Sequence, residues 1–378
     1  MRGARGPCLP WDNPACTARL NGAIAWLAVW AVIAAIPVCG VPFHAQTETV
    51  PGPPVTYFWQ NVARIQGHLA LTFSPDGAFS PDSSTLAVVE KYRVVLVDLA
   101  DGRVRNVLKP RINGVNDLEI QSANFISPAT LFVLATGAVR RKGRRGEVNT
   151  PELAFQWNIP QDTLSGKVDA VGLGGGYLPP RYFPQIHYLA LYKKSTFELW
   201  DPVTARAGSI TLPQLTHAPH LFTFSPDGHW LLLAQIETNS SPNPVVVLLR
   251  ERQFLTSLAG HAGPVLGMTF SHDSRYVATA SLDRKVRVFA VQGWKLVETL
   301  SGNQGPVSWA EFSPHLNWVA SAGEDKTARI WSVSTGKPVQ TLGESREPLA
   351  TLGFSPDGKY LAATSQDNVY IWARTAAE

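Results

Sequence analysis

No cysteine follows residue 39: Cys8, Cys16 and Cys39 are the only three. The remaining chain therefore forms no internal disulfide and builds no cysteine-based zinc site. Charge is also scarce, at 16% Asp, Glu, Lys and Arg, against about a quarter in an average domain. Long charged helices and coiled coils are thereby excluded. The chain has no nucleophile elbow, no HExxH helix, no P-loop and no kinase set. The Gly174-Gly175-Gly176 cluster lacks dinucleotide-fingerprint spacing and reads as a turn. No cofactor, no metal ligand and no catalytic residue is expected.

Turn-formers and aromatics are abundant, with 30 Gly, 29 Pro and 12 Trp in 378 residues, and 45% of the chain is hydrophobic. That content fills a core, and its pairing with many turns points to short strands.

Residues 22–41, GAIAWLAVWAVIAAIPVCGV, carry no charge. As a helix they would span about 30 Å, the thickness of a bilayer's hydrocarbon core. Arg2, Arg5 and Arg19 precede them against one acid, Asp12. This bias keeps the N-terminus cytoplasmic and sends the rest across. Two readings stay open for residues 1–41, a cleaved signal peptide or a retained single-span anchor. Residues 42–55 form a Pro-rich linker ending in the run Pro51 to Pro54, and residues 56–378 form the body.

The body is periodic. FSPDG occurs at 73–77, 224–228 and 354–358, with variants at 79–83, 270–274 and 312–316 and looser copies at 125 and 183. Starting from Phe79, seven markers are separated by 46, 58, 41, 46, 42 and 42 residues. The stretch 265–299 divides into four strands, at 265–270, 276–280, 286–289 and 295–299. Its third strand, Val286-Arg287-Val288-Phe289, alternates as if one face pointed inward. Four short strands cannot bury both their faces alone, and seven such units stacked round an axis can.

Gly260-His261, Phe270-Ser271, Asp283 and a late aromatic, present as Trp157, Trp200, Phe289, Trp331 and Trp372, resemble the WD40 repeat. The resemblance covers about four-fifths of the chain and is strongest from Thr216 to Trp372. It implies an all-β, seven-bladed β-propeller of four-stranded antiparallel blades, here preceded by one N-terminal hydrophobic helix. It also implies a hydrogen-bonded set of His, Ser/Thr, Asp and Trp in each blade, and none is complete here. The fifth blade has His261 and Asp283 with Phe289 for Trp. The sixth has Asp325 and Trp331 with Asn303 for His. The seventh has Asp367 and Trp372, with Glu344 near the His position. The chain stops soon after Trp372, so the seventh blade lacks a fourth strand, which Tyr57 to Gln66 is placed to supply.

The longest interval holds Arg140, Arg141, Lys142, Arg144 and Arg145, between a second strand at 131–136 and a third at 153–157. By the family's layout this loop projects from the partner-binding face. Its charge suits an acidic peptide or an anionic lipid head group. No aromatics are interleaved, so nucleic acid is not an expected partner. A polar insertion at 237–244 occupies the equivalent connection in the fourth blade. His217 and His220 have no third ligand in view, and one of them fills the repeat's structural His position in this reading.

The resemblance implies a non-catalytic interaction scaffold for other proteins. With the N-terminal segment, the propeller is expected to be extracytoplasmic, membrane-anchored or secreted. The competing readings are a propeller enzyme with a central-channel site and a cytoplasmic adaptor. The net charge of +4 is local. Residues 1–45 carry +2 and residues 140–147 carry +4, leaving the rest at −2.

Overall fold

The computed structural model describes residues 57–66, 78–112, 116–140, 148–149, 152–168, 181–183, 185–193, 195–201, 207–213, 215, 218–235, 244–343 and 345–376. The hydrophobic segment, its linker and most of the basic loop lie outside them. Among the described residues no helix is long and apolar enough to cross a membrane.

The strands form seven antiparallel sheets, the blades of one ring. Blade 5 shows the unit, with strands Val265–Phe270, Tyr276–Ser281, Lys285–Ala290 and Lys295–Ser301 running from the axis outward. These match the sequence expectation to within two residues. Blade 1 is the least regular: three strands, Thr85–Glu90, Arg93–Asp98 and Val104–Leu108, form its sheet, and a single bridge from Phe79 to Leu86 stands at the innermost position. In blade 2 the second strand, Thr130–Arg140, outruns its sheet and pairs with Val148–Asn149.

One sequence expectation changes here. The third strand of blade 5 is buried along its length, with Val286, Arg287, Val288 and Phe289 all at 7% exposure or less. Blades stack against both faces of each sheet, so a middle strand has no solvent face. Only the outer strand is wet, as Lys295-Leu296-Val297 shows. The core is divided accordingly. Seven hydrophobic clusters are present among the described residues, and each bridges a consecutive pair of blades. A fully buried Leu, Val or Phe contributes about 1.5–3 kcal/mol, so each interface is a core in its own right. Gly267 marks how closely blades 5 and 6 approach: a Cβ there would lie 2.8 Å from the Ser308 carbonyl oxygen and 3.0 Å from Trp309 Cα.

Closure follows the expected route. Tyr57–Gln66 pairs with Asn368–Ala376 as the outer strand of blade 7, in register from Tyr57↔Ala376 to Gln66↔Asn368. Trp59 fixes it: the indole is 4% exposed and packs 5.7 Å from the Phe354 ring. The Trp59 N–H donates to Gln340 Oε1 at 2.8 Å, and Gln340 Nε2 donates back to the Trp59 carbonyl at 2.9 Å, joining blade 6 to the closing strand.

Trp59→Ala is expected to cost about 3–5 kcal/mol of stability, in the range of buried aromatic deletions. Phe58→Ala, one residue away and 48% exposed, is expected to change it by about 0.5 kcal/mol or less. Denaturant midpoints of the two variants check this.

Candidate functional site

The turn joining the first two strands is built alike in four blades. Ser80, Ser225, Ser271 and Ser355 each donate to the Asp two residues on, at 2.5, 2.5, 2.6 and 2.7 Å. Each serine Oγ also accepts a backbone N–H five residues on, at 2.9 Å. This is why Phe-Ser-x-Asp recurs. In blade 6 His315 stands at the Asp position, and buried Ser313 Oγ has no hydrogen-bond partner. Neighbouring turns are linked, Asp227 N–H to Ser274 Oγ and Asp357 N–H to Ser83 Oγ, both at 3.0 Å.

At the opposite end the expected repeat positions do come together. His261 Nδ1 lies 3.0 Å from Asp283 Oδ2, and Nε2 lies 2.7 Å from Thr279 Oγ1. Arg287 Nη1 donates to Asp283 Oδ2 at 2.7 Å and sits 2.7 Å from His261 Nδ1. Burial lowers the His261 pKa below its ordinary 6.5, so the ring is neutral and carries one proton. A proton on Nδ1 goes to Asp283 and makes Nε2 accept from Thr279. A proton on Nε2 goes to Thr279 and lets Nδ1 accept from Arg287. Burial alone would raise the Asp283 pKa, but the Ala262 N–H, Arg287 and His261 outweigh it and hold the carboxyl at about 2.

Blade 6 repeats the plan with substitutions. Trp331 Nε1 donates to Ser321 Oγ at 2.8 Å, and Ser321 donates to Asn303 Oδ1 at 3.3 Å. Asp325 Oδ2 accepts the Gln304 N–H at 2.9 Å and Arg329 Nη2 at 3.1 Å. In blade 7 Glu347 does what the sequence reading gave to Glu344, which lies outside the described residues. Glu347 Oε2 accepts the Ser365 hydroxyl at 2.8 Å and the Asp367 N–H at 3.3 Å. His220 Nε2 bonds the Val265 carbonyl at 2.7 Å across to blade 5, and Nδ1 has no partner. It therefore joins blades instead of locking one, and His217 lies outside the described residues.

The sequence reading missed the hydroxyl partners. Thr279 and Ser321 each stand four residues before the blade's Asp, which is the signal that locates them. Strand register extends the comparison. Trp331 pairs with Val319 and Ser321 follows two residues later, while Trp372 pairs with Leu361 and Ala363 follows. Trp157 pairs with Leu131 and Val133 follows. With Ala or Val in the hydroxyl's place, the buried indole N–H groups of Trp372 and Trp157 have no acceptor.

Arg140 is the only cation of the basic run among the described residues, as the last residue of its strand, pairing with Val148. The other four, Arg141, Lys142, Arg144 and Arg145, and the 237–243 insertion lie outside. The connectivity still puts both insertions between second and third strands, at the same end as Asp283, Asp325 and Asp367. Along the bore, Arg181 of blade 3 lies 5.2 Å from the Phe183 ring centroid and 5.3 Å from that of Trp309 in blade 6, so it spans the axis. Trp309 Nε1 and Thr269 Oγ1 both donate to Glu311, each at 3.2 Å. Among the described residues no group of His, Cys, Asp and Glu is placed to hold a metal ion.

Seven antiparallel sheets closed on one axis, with blade locks at one end and serine–aspartate turns at the other, define a β-propeller. Residues 252–289, 294–332 and 336–373 match the WD domain, G-beta repeat family. These repeats and the seven-bladed ring together support a WD40 β-propeller protein. A comparison with curated proteins returns no match.

Ala363→Ser, which sets a hydroxyl beneath Trp372, is expected to stabilise by about 1 kcal/mol, and Ser321→Ala to destabilise by about 1–3 kcal/mol. Opposite shifts in thermal midpoint check the pair. Stability is also expected to fall in acid. Below pH 6.5 the unfolded chain takes up a proton that His261 resists, and the Asp283 contribution, full above 3.8, is lost as pH falls towards about 2. Thermal midpoints of wild type and His261→Gln between pH 7.5 and 5 test the His261 part, since the variant should lose less.

Proposed function

We propose that this propeller is a non-catalytic scaffold that binds other proteins through its loop rim, held on the outer side of the cytoplasmic membrane. The observation that carries the reading is the WD40 propeller itself, whose relatives generally act by binding proteins. Its blades direct their Asp, Ser, Thr and His side chains into their own locks, which leaves recognition to the connections. Arg140, Arg141, Lys142, Arg144 and Arg145 fall where the second strand of blade 2 leads towards its third, and they carry five positive charges. They suit an acidic partner, a peptide or a lipid head group. The membrane assignment rests on the uncharged run 22–41 and the arginines before it.

Replacing the five cations by Gln or Ser is expected to reduce capture of acidic partners by about tenfold or more. Equal recovery of the same partners by wild type and variant would overturn the loop assignment. A reporter fused after Val55 is expected to be active only if export-dependent. Activity of a cytoplasm-dependent reporter at the same site would overturn the membrane assignment and leave the scaffold reading standing.

A further inference from the structure

A cavity of about 310 Å³ opens at the serine–aspartate turn end. Its lining comes from blades 1, 2, 3, 5 and 7, on all sides of the ring, so it lies on the axis. Phe79, Phe125, Tyr182 and Phe354 form its wall, each 7% exposed or less. His187 and His272 are exposed at its mouth. Both histidines depart from the repeat. His272 stands where Phe-Ser-Pro-Asp turns carry proline, and His187 adopts φ 57° at the turn position held by Ser83, Gly228, Ser274 and Gly358 in four other blades. The aspartates of the adjoining turns are engaged in hydrogen bonds of their own: Asp357 accepts from the Ser355 hydroxyl and the Lys359 N–H, and Asp82 from the Ser80 and Ser84 hydroxyls. The polar side chains among its lining are Gln185, Tyr182 and the two histidines, and the imidazoles can donate to an anion.

We infer that this axial cavity is a binding site for a small aromatic carboxylate, its ring held between the four aromatic side chains and its anionic group at His187 and His272. The volume is at the lower end for ligand pockets, which suits one or two fused rings. Edge and face contacts with four aromatic walls favour a ring over an aliphatic chain. The site is independent of the loop rim at the other end of the ring.

The test is isothermal titration of the full-length chain with 2-naphthoate, beside uncharged 2-naphthamide. The variant His187→Gly/His272→Pro supplies residues used at these turn positions in other blades, and glycine accepts the positive φ without strain. Its thermal midpoint should not fall. Saturable one-site binding of naphthoate is expected, weakened about tenfold or more in the variant and in the amide. Ile126→Trp, which fills the cavity from its wall and keeps both histidines, should abolish it. No saturable binding to wild type, or equal affinity in wild type and the folded variants, overturns the site.

Discussion

The ring depends on one strand pairing. Each matched repeat begins in the outer strand of one blade and ends in the third strand of the next, as residues 252–289 and 294–332 do. The last, 336–373, therefore leaves blade 7 without an outer strand. Tyr57–Gln66 fills that place across more than three hundred residues of intervening chain. Sequence-distant closure carries a loop entropy that grows only slowly with length. Nine paired positions, the Trp59 contact and the Gln340 clamp act against it. Without the pairing, the cluster between blades 7 and 1 would lose Ala63 and Ile65 from its flank, and the edge of Asn368–Ala376 would be bare.

Within this ring, reinforcement is uneven. Blades 5 and 6 carry buried Asp–Arg pairs and hydroxyl links, while blades 2 and 7 keep the tryptophan without its acceptor. The difference is polar, since all seven interfaces have apolar cores. Packing sets the fold, and the hydrogen-bonded locks decide how firmly each connection at that end is held. The outer edges are managed by another device. Six of the seven outer strands contain a bulge, blade 3 being the regular one. A bulge twists an edge away from further pairing, which lets residues such as Val104, Leu255 and Val339 stand exposed there without extending the sheet.

Much of this was legible in sequence for a local reason. Phe-Ser-x-Asp encodes a self-bonded turn, so its recurrence counted the blades, and the missing last strand pointed to Tyr57–Gln66. Glu347 was not legible because it stands 20 residues before Asp367, whereas His261 and Asn303 stand 22 before Asp283 and Asp325. The Arg181–Trp309 contact joins strands facing each other across the bore, and no local pattern records such a pair. The buried middle strands misled for a related reason. Alternation describes a sheet with one wet face, and here Arg287 breaks the apolar run because Asp283 pairs with its charge in place.

The register of the closing strand has a mechanical meaning. Tyr57 lies opposite Ala376, so the two ends of the propeller leave it side by side. Tension applied between those ends loads one residue pair at a time, starting at Tyr57, in the manner of a zipper. Resistance to such a pull is set by the first few pairs and not by all nine together.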